Sequence, residues 1–319
     1  MNRFVQRLDN AKKAMDEVDY MIIGAGAGFS AAAGLEYSGK RFDDNFQDFI
    51  EKYGVEDMYS ATFYPYGTQE EKWAHWIRHV YVNRYSVGKT KLYGQLLELV
   101  KDKDYFVLTT NVEHQFWING FEDKKIFATQ GDYGLMQCEK ACHDNLYSNE
   151  ELVFEGIEKI EDCKIPSDLV PVCPVCGGNM EINIRKDNFF VEDEKWHEMS
   201  KNYSEFLKNA DEDKNIVFLE LGVGFNTPTI IRYPFEQMTY NCPNATLIRL
   251  NRDYPQAIPE NKDKTIAGML LYAKTDQTIQ PDSTYRMSGN EISAKTIDLN
   301  CEFEDIKDQL NQIVQYFFN

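Results

Sequence analysis

At 319 residues and 37.1 kDa, the chain is long enough for one large domain carrying a smaller insertion. Its 43% apolar and 27% charged residues suit a globular core and argue against disorder. A formal net charge of −18 argues against a nucleic-acid partner, and no run reaches the roughly 20 apolar residues that span a bilayer, so no membrane partner is expected either.

The first segment lacks the apolar run of a secretory signal and carries Asp9, Asp16, Glu17 and Asp19, which disfavours a transit peptide. A cytoplasmic location is the expectation, and the cysteine usage agrees with a reducing compartment. Residues 3–18 place Phe4, Leu8, Ala11, Met15 and Val18 at helical spacing. A short buried strand, Asp19-Tyr20-Met21-Ile22-Ile23, then runs into Gly24-Ala25-Gly26-Ala27-Gly28, and a helix start follows at Phe29-Ser30-Ala31. Strand, glycine turn and helix N-terminus form the geometry that cradles phosphate oxygens, and Gly26-x-Gly28-x-x-Ala31 satisfies the dinucleotide fingerprint. A tight turn without ligand gives the same pattern. A dehydrogenase would also place an acidic strand end about 20 residues on, where residues 47–52 instead look helical.

Residues 36–85 are aromatic-rich and mostly helical in pattern, with Trp73, Trp76, Ile77 and Val80 on one stripe. A helix over 89–101 precedes the strand Tyr105-Phe106-Val107-Leu108-Thr109, which leads to Asn111. Residues 133–200 hold paired cysteines in a weakly patterned acidic stretch. Strands over 215–221 and 245–250 lead to Gly222-Val223-Gly224-Phe225-Asn226-Thr227 and to Asn251. A last helix is expected over 303–318. Each strand is a continuous apolar run, as parallel strands covered on both faces require. The expected fold is α/β, a doubly wound Rossmann-like parallel sheet with a smaller zinc-binding and helical insertion domain. Residues 1–35, 86–132 and 201–319 would form the large domain. Residues 36–85, a helical insertion, and 133–200, a zinc-binding insertion, would form the small one.

Cys138, Cys142, Cys173 and Cys176 make two knuckle-like pairs, the second followed by Gly177-Gly178. Four thiolates so spaced suit a closed, structural zinc site, although four unliganded thiols would show the same spacing. Cys163 or His143 could replace a member. Cys242 and Cys301 read as packing residues. Gly222, Val223, Gly224, Asn226, Thr227 and Asn251 stand at the carboxyl ends of strands, where a ligand crevice is expected, although each alone also reads as a solvent-facing turn.

The order of these motifs resembles the sirtuin family. Gly26-Ala27-Gly28-Phe29-Ser30-Ala31-Ala32-Ala33-Gly34-Leu35 is similar to its first NAD-binding loop, and Thr109-Thr110-Asn111-Val112-Glu113 to its Thr-Gln-Asn-Ile-Asp segment. The cysteine pairs match its zinc module, with three residues in the first pair where two are usual. Gly222-Val223-Gly224 resembles its Gly-Thr-Ser turn, and Leu250-Asn251 its ribose-holding Ile-Asn. The resemblance implies NAD as cofactor, contacted by Gly26, Ala27, Gly28, Ser30 and Gly34. Gly222, Val223, Gly224, Asn226, Asn251 and Arg252 would contact it from the other strands, and Phe42 would cap the nicotinamide.

The departures are as informative. Glu36-Tyr37-Ser38-Gly39 replaces the family's Pro-Asp-Phe-Arg, Glu113 replaces an Asp, and Gln130-Gly131 stands where the catalytic His-Gly is expected. In the family's deacylation that histidine activates a ribose hydroxyl. A glutamine amide does not titrate near neutral pH, so it cannot be a general base. Its loss would cost deacylation about 10²–10⁴-fold. Nicotinamide cleavage, which needs positioning more than a base, survives. Tyr37-Ser38-Gly39 and Gln130-Gly131-Asp132-Tyr133-Gly134 resemble the macrodomain-linked (class M) microbial sirtuins. That resemblance implies an NAD-dependent protein ADP-ribosyltransferase, with Asn111 and Gln130 as catalytic residues. It further implies an acceptor protein of lipoyl-carrier type and a macrodomain that removes ADP-ribose. NAD hydrolysis and a non-catalytic NAD or ADP-ribose sensor are the alternatives, with protein deacylation behind them.

Overall fold

A computed structural model of the chain describes residues 3–210, 213–256, 261 and 263–268. Among these residues nine strands fall into two sheets. Strands β1 (Tyr20–Ala25), β2 (Tyr105–Thr109), β3 (Ile126–Ala128), β7 (Ile216–Leu221), β8 (Ala245–Leu250) and β9 (Thr265–Gly268) pair in parallel in the order β3-β2-β1-β7-β8-β9. Strands β4 (Gly131–Cys138), β5 (Tyr147–Ser148) and β6 (Met180–Ile184) pair antiparallel in the order β5-β4-β6.

The apolar runs of the large sheet explain why both of its faces are covered. Met21 and Ile23 join Val107, Val217 and Leu219 in one core, while Ile22 joins Phe106, Leu108, Phe218 and Leu247 in the other. Helices α1 (Arg3–Asp16), α6 (Lys91–Val100) and α7 (Gln115–Asn119) add Ala11, Met15, Tyr93, Leu96, Val100 and Phe116 to the first face. The chain leaves β1 towards β2 on one side and returns through β7 on the other. The strand order therefore reverses at β1, and the carboxyl ends there are where a doubly wound sheet binds ligands. A short helix, α2 (Ala27–Ala32), starts from that point.

A third core unites the two segments that break the alternation. Phe42, Phe46 and Phe49 of α3 (Lys40–Tyr53) pack with Met58 of α4 (Met58–Thr62) and with Trp73, Trp76 and Ile77 of α5 (Gln69–Val80). Met136 and Ile182 of the small sheet, and Val153 of α8 (Glu150–Ile157), join the same core. Capping boxes start two of these helices, Asp57 with Ser60 and Thr68 with Glu71.

The strands over 105–109, 215–221 and 245–250 and the helix over 89–101 occur where the apolar runs predict them. One boundary differs. Helix α9 (Glu194–Asn209) begins inside the stretch 133–200 yet packs on the large sheet, with Trp196 on Phe127 at 5.0 Å and Tyr203 on Phe106 at 5.5 Å. Its apolar stripe of Trp196, Met199, Tyr203 and Phe206 is diluted by acids and lysines, which hid its affiliation. On the same face lies α10 (Arg232–Asn241) with Phe235. The helix expected over 303–318 and Cys301 lie outside the described residues. No described helix is long and apolar enough to cross a membrane.

Candidate active site

The turn after β2 carries a polar side chain held by the end of β1. Thr109 Oγ1 donates to the Ala25 carbonyl at 3.0 Å and accepts the Asn111 backbone N–H at 3.0 Å, which fixes this turn against the end of β1. Asn111, 7% exposed, donates its Nδ2 to the Gly26 carbonyl at 3.1 Å and to Tyr93 OH at 3.2 Å. A carbonyl can only accept, so the amide nitrogen faces Gly26 and the side-chain oxygen faces away. Among the described residues that Oδ1 receives no hydrogen bond.

Behind Asn111, Glu113 is 4% exposed. Its Oε1 accepts from Ser30 Oγ at 2.7 Å and from Tyr93 OH at 2.9 Å. Burial raises the pKa of Glu113, and these hydroxyls with the Val112 and Glu113 amides only partly oppose it. Ser30, expected at the cofactor, thus stands one layer behind the turn with its hydroxyl on Glu113. Tyr93 carries no sequence signal of its own, since it is one apolar position of an amphipathic helix.

The two glycine turns pack on each other. Gly26 N–H donates to the Leu221 carbonyl at 3.0 Å and Gly28 N–H to the Gly222 carbonyl at 2.9 Å. Gly222 has φ +60, and a Cβ there would lie 2.2 Å from the Phe29 nitrogen. The glycines therefore allow strand ends to meet as well as a ligand to approach. Gly224, Phe225, Asn226 and Thr227 are exposed beyond this contact. Gly34, at φ +91, ends α2. Asn251 is used internally: its Nδ2 donates to the Val223 carbonyl at 2.7 Å, and its Oδ1 accepts from Asp253 N and Tyr254 N. It clamps the β7 and β8 turns together. Arg252 is exposed and pairs with Asp253 at 2.8 Å. Under these turns Arg249 and Arg232 share Glu220 and Glu236, and the buried charges balance.

Gln130 stands at the corner between β3 and β4, half-buried. Its carbonyl accepts the Arg185 backbone N–H at 3.0 Å, while its Nε2 reaches only Thr129 Oγ1 at 3.5 Å. The register is set by Gly131, whose φ of +94 and closeness to Asn183 leave no room for a side chain, a Cβ falling 2.0 Å from the Asn183 oxygen. Arg185, missed in the sequence, lies over Phe190 at 4.2 Å and Trp196 at 5.5 Å and pairs with Glu192. Asp132 is held by Arg84 at 2.6 Å and by His114 Nδ1 at 2.6 Å. Tyr133 shares a 2.9 Å hydrogen bond with Tyr37, which ties the unusual Tyr-Ser-Gly segment to the Gln-Gly-Asp-Tyr segment. Arg41 crosses behind Tyr37 and donates to Asn83 Oδ1 at 2.8 Å and to the Val82 carbonyl at 2.8 Å. Phe42, expected over the nicotinamide, points instead into the third core. It is 1% exposed and stacked on Phe46 at 5.3 Å, because α3 turns that face inward.

The cysteines converge at the far end of β4. The Sγ atoms of Cys138, Cys142, Cys173 and Cys176 all lie within 4.8 Å of one another, and two pairs stand 3.7 Å apart. A tetrahedral zinc with bonds of ~2.3 Å holds its sulfurs about 3.8 Å apart, so the four thiols fit that ion. Against the effect of burial, the amides of Cys176 and Val175 lower the Cys173 thiol, whereas burial and the three neighbouring thiols push Cys142 up. Cys163 lies elsewhere, near Asp48, Lys52 and Arg78. His143 touches Cys142 Sγ at 3.1 Å from outside the cluster and turns its other nitrogen to Tyr147 OH. Cys242 packs at the edge of the α9 and α10 core.

No family model matches the chain. It is 36% identical over 253 residues to a protein ADP-ribosyltransferase of Staphylococcus aureus, covering 79% of this chain and 80% of the relative. A protein of Fusarium oxysporum f. sp. cubense, described as a "Probable bifunctional ADP-ribose hydrolase/ADP-ribosyltransferase", is 29% identical over 271 residues, 82% of this chain and 45% of that protein. Among solved structures, Sir2Tm bound to a propionylated peptide aligns with a TM-score of 0.51 at 16% identity, covering 82% of this chain and 91% of that one. Sir2 bound to acetylated peptide aligns at 0.50 with 18% identity and the same coverage.

Proposed function

The chain belongs to the protein ADP-ribosyltransferases, on a sirtuin-like fold, and we propose that Asn111 and Gln130 flank the nicotinamide ribose of NAD while an acceptor protein takes the ADP-ribosyl group. The enzyme is an NAD-dependent protein ADP-ribosyltransferase. NAD supplies the ADP-ribosyl group and a nicotinamide leaving group. The orientation of Asn111 supports the assignment most directly: both amide hydrogens are committed to Gly26 and Tyr93, so its carbonyl oxygen is the group left to accept from a ribose hydroxyl or a water. Gln130 can donate and accept at a hydroxyl but cannot remove a proton. An acceptor must therefore arrive with its nucleophile already deprotonated, which suits transfer to a carboxylate better than acyl removal from lysine.

Around this pair, Gly26, Ala27, Gly28, Gly222 and Gly224 would line the cofactor crevice, with the exposed Asn226 beyond them. Asn251 shapes the site by clamping its turns. The four cysteines would hold a structural zinc. The lipoyl-carrier acceptor rests on the sequence resemblance. A macrodomain partner has weak support in the Fusarium relative, whose name joins hydrolase to transferase.

The test offers labelled NAD to lipoylated and unlipoylated carrier protein, beside the Asn111→Ala and Gln130→Ala variants. Label on the lipoylated carrier, reduced in both variants, is expected. Stoichiometric free ADP-ribose without any labelled acceptor would instead mark an NAD hydrolase, and NAD binding without nicotinamide release a sensor.

A further inference from the structure

Ser30 Oγ, Tyr93 OH and Glu113 Oε1 form a closed triangle, each 2.7 to 2.9 Å from the others. Each hydroxyl has one hydrogen, and an ionised carboxylate is the strongest acceptor present, so both hydrogens point at Glu113. The Tyr93 oxygen is then left as an acceptor, and it receives Asn111 Nδ2 at 3.2 Å. The direction of every hydrogen bond in the chain follows from the charge at its end.

We propose that Glu113 is a positioning residue for the transfer reaction: through Tyr93 its carboxylate fixes the amide of Asn111 so that the carbonyl oxygen, and not the nitrogen, is offered to the substrate. The inference rests on the assignment of Asn111 above. Protonation would weaken the chain. A carboxylic O–H must donate, and the nearest acceptors are the same two hydroxyl oxygens. Once Tyr93 accepts from Glu113, its own hydrogen leaves the carboxyl group for Ser30 Oγ, 2.9 Å away, and its oxygen is shared between Glu113 and Asn111, so its hold on the Asn111 amide loosens.

The groups that face Glu113 are Ser30 from α2, Tyr93 from α6, and Tyr37, Tyr133 and Arg41, on which its charge acts. Burial pushes the three tyrosines up, so none ionises at neutral pH. Arg41 stays cationic, although burial lowers its pKa. Glu113 is thus the group of this cluster that changes charge on the acid side. Its pKa is raised, so the active ionised form is lost, as pH falls, above the ordinary glutamate range.

The experiment measures kcat and KM for nicotinamide release from NAD across pH, with and without lipoylated carrier protein. It compares the wild type, Glu113→Gln, Tyr93→Phe, the double variant and Asn111→Ala. Glu113→Gln and Tyr93→Phe should each lower kcat roughly 10–100-fold with little change in KM, as misdirected positioning does. The acid limb should vanish in Glu113→Gln. The double variant should be no worse than the poorer single one, because the two act as one unit. The Tm of Glu113→Gln should not fall, since the charge removed is one that burial disfavours. Effects that multiply in the double variant would overturn the proposal. So would Glu113→Gln keeping kcat within about twofold of wild type, with its acid limb, while Asn111→Ala is inactive. If Glu113→Gln fails to fold, a wild-type acid limb in Tyr93→Phe is the overturning result. If Asn111→Ala releases nicotinamide like the wild type, the assignment of Asn111 fails first, and the proposal falls with it.

Discussion

Asn111 and Gln130 stand on neighbouring strand ends but are held in opposite ways. Asn111 is locked through its side chain, with one amide bond to the Gly26 carbonyl and one into a buried cluster that ends at a carboxyl group. Gln130 is locked through its backbone, by the Arg185 amide and by the glycine that follows it, while its side chain has one 3.5 Å contact. The first is preorganised before any ligand arrives. The second is fixed in position by the backbone and left able to adapt. A buried polar cluster of the first kind makes activity sensitive to any change in its hydrogen-bond pattern, whereas a loosely held amide tolerates one.

Breaking the locked half should therefore have the largest effect. Asn111→Ala removes the fixed carbonyl oxygen, and nicotinamide release measured by chromatography should fall about 10²–10³-fold, the range for losing one preorganised polar group. On the other half, the backbone is the sensitive part. Gly131→Ala forces a Cβ to within 2.0 Å of the Asn183 oxygen at φ +94, so the β3 to β4 corner must move. A stability loss of about 2–4 kcal/mol is expected, read by denaturant titration, with transfer falling alongside it.

Metal removal sharpens the same contrast, since β4 runs from Gly131 to Cys138 and ties the Gln130 corner to the cysteine cluster. Chelation or Cys173→Ser should release one zinc per chain. Hydrogen exchange should then rise in β4 and β6 before it rises in β1, β2 and β7. The smallest effect is expected at the Gln130 side chain itself. Gln130→Ala should lower kcat by only about tenfold, with the Tm unchanged, because the side chain supports no buried network.

The sequence made the locked half only partly legible. Asn111 follows a continuous apolar strand, and a polar residue at a strand's carboxyl end is a visible signal. Ser30, Tyr93 and Glu113 come together from three separate segments, and no periodicity announces that meeting. The corner that carries Gln130 is legible for the opposite reason, since Gly131 and Asp132-Tyr133 make a local motif whose backbone the structure holds in one register. Phe42 shows where local reading fails. The family resemblance places it over the nicotinamide, but α3 buries it against Phe46. The four cysteines needed only their spacing, because knuckle turns bring thiols together with little help from the rest of the fold.

The most direct measurement follows the ribose label of NAD in a single turnover with lipoylated carrier protein, for the wild type and Asn111→Ala. Label moving onto the carrier in step with nicotinamide release, and neither occurring in Asn111→Ala, is the expected result. Label accumulating as free ADP-ribose in the presence of the carrier, or Asn111→Ala labelling it at the wild-type rate, would contradict the account.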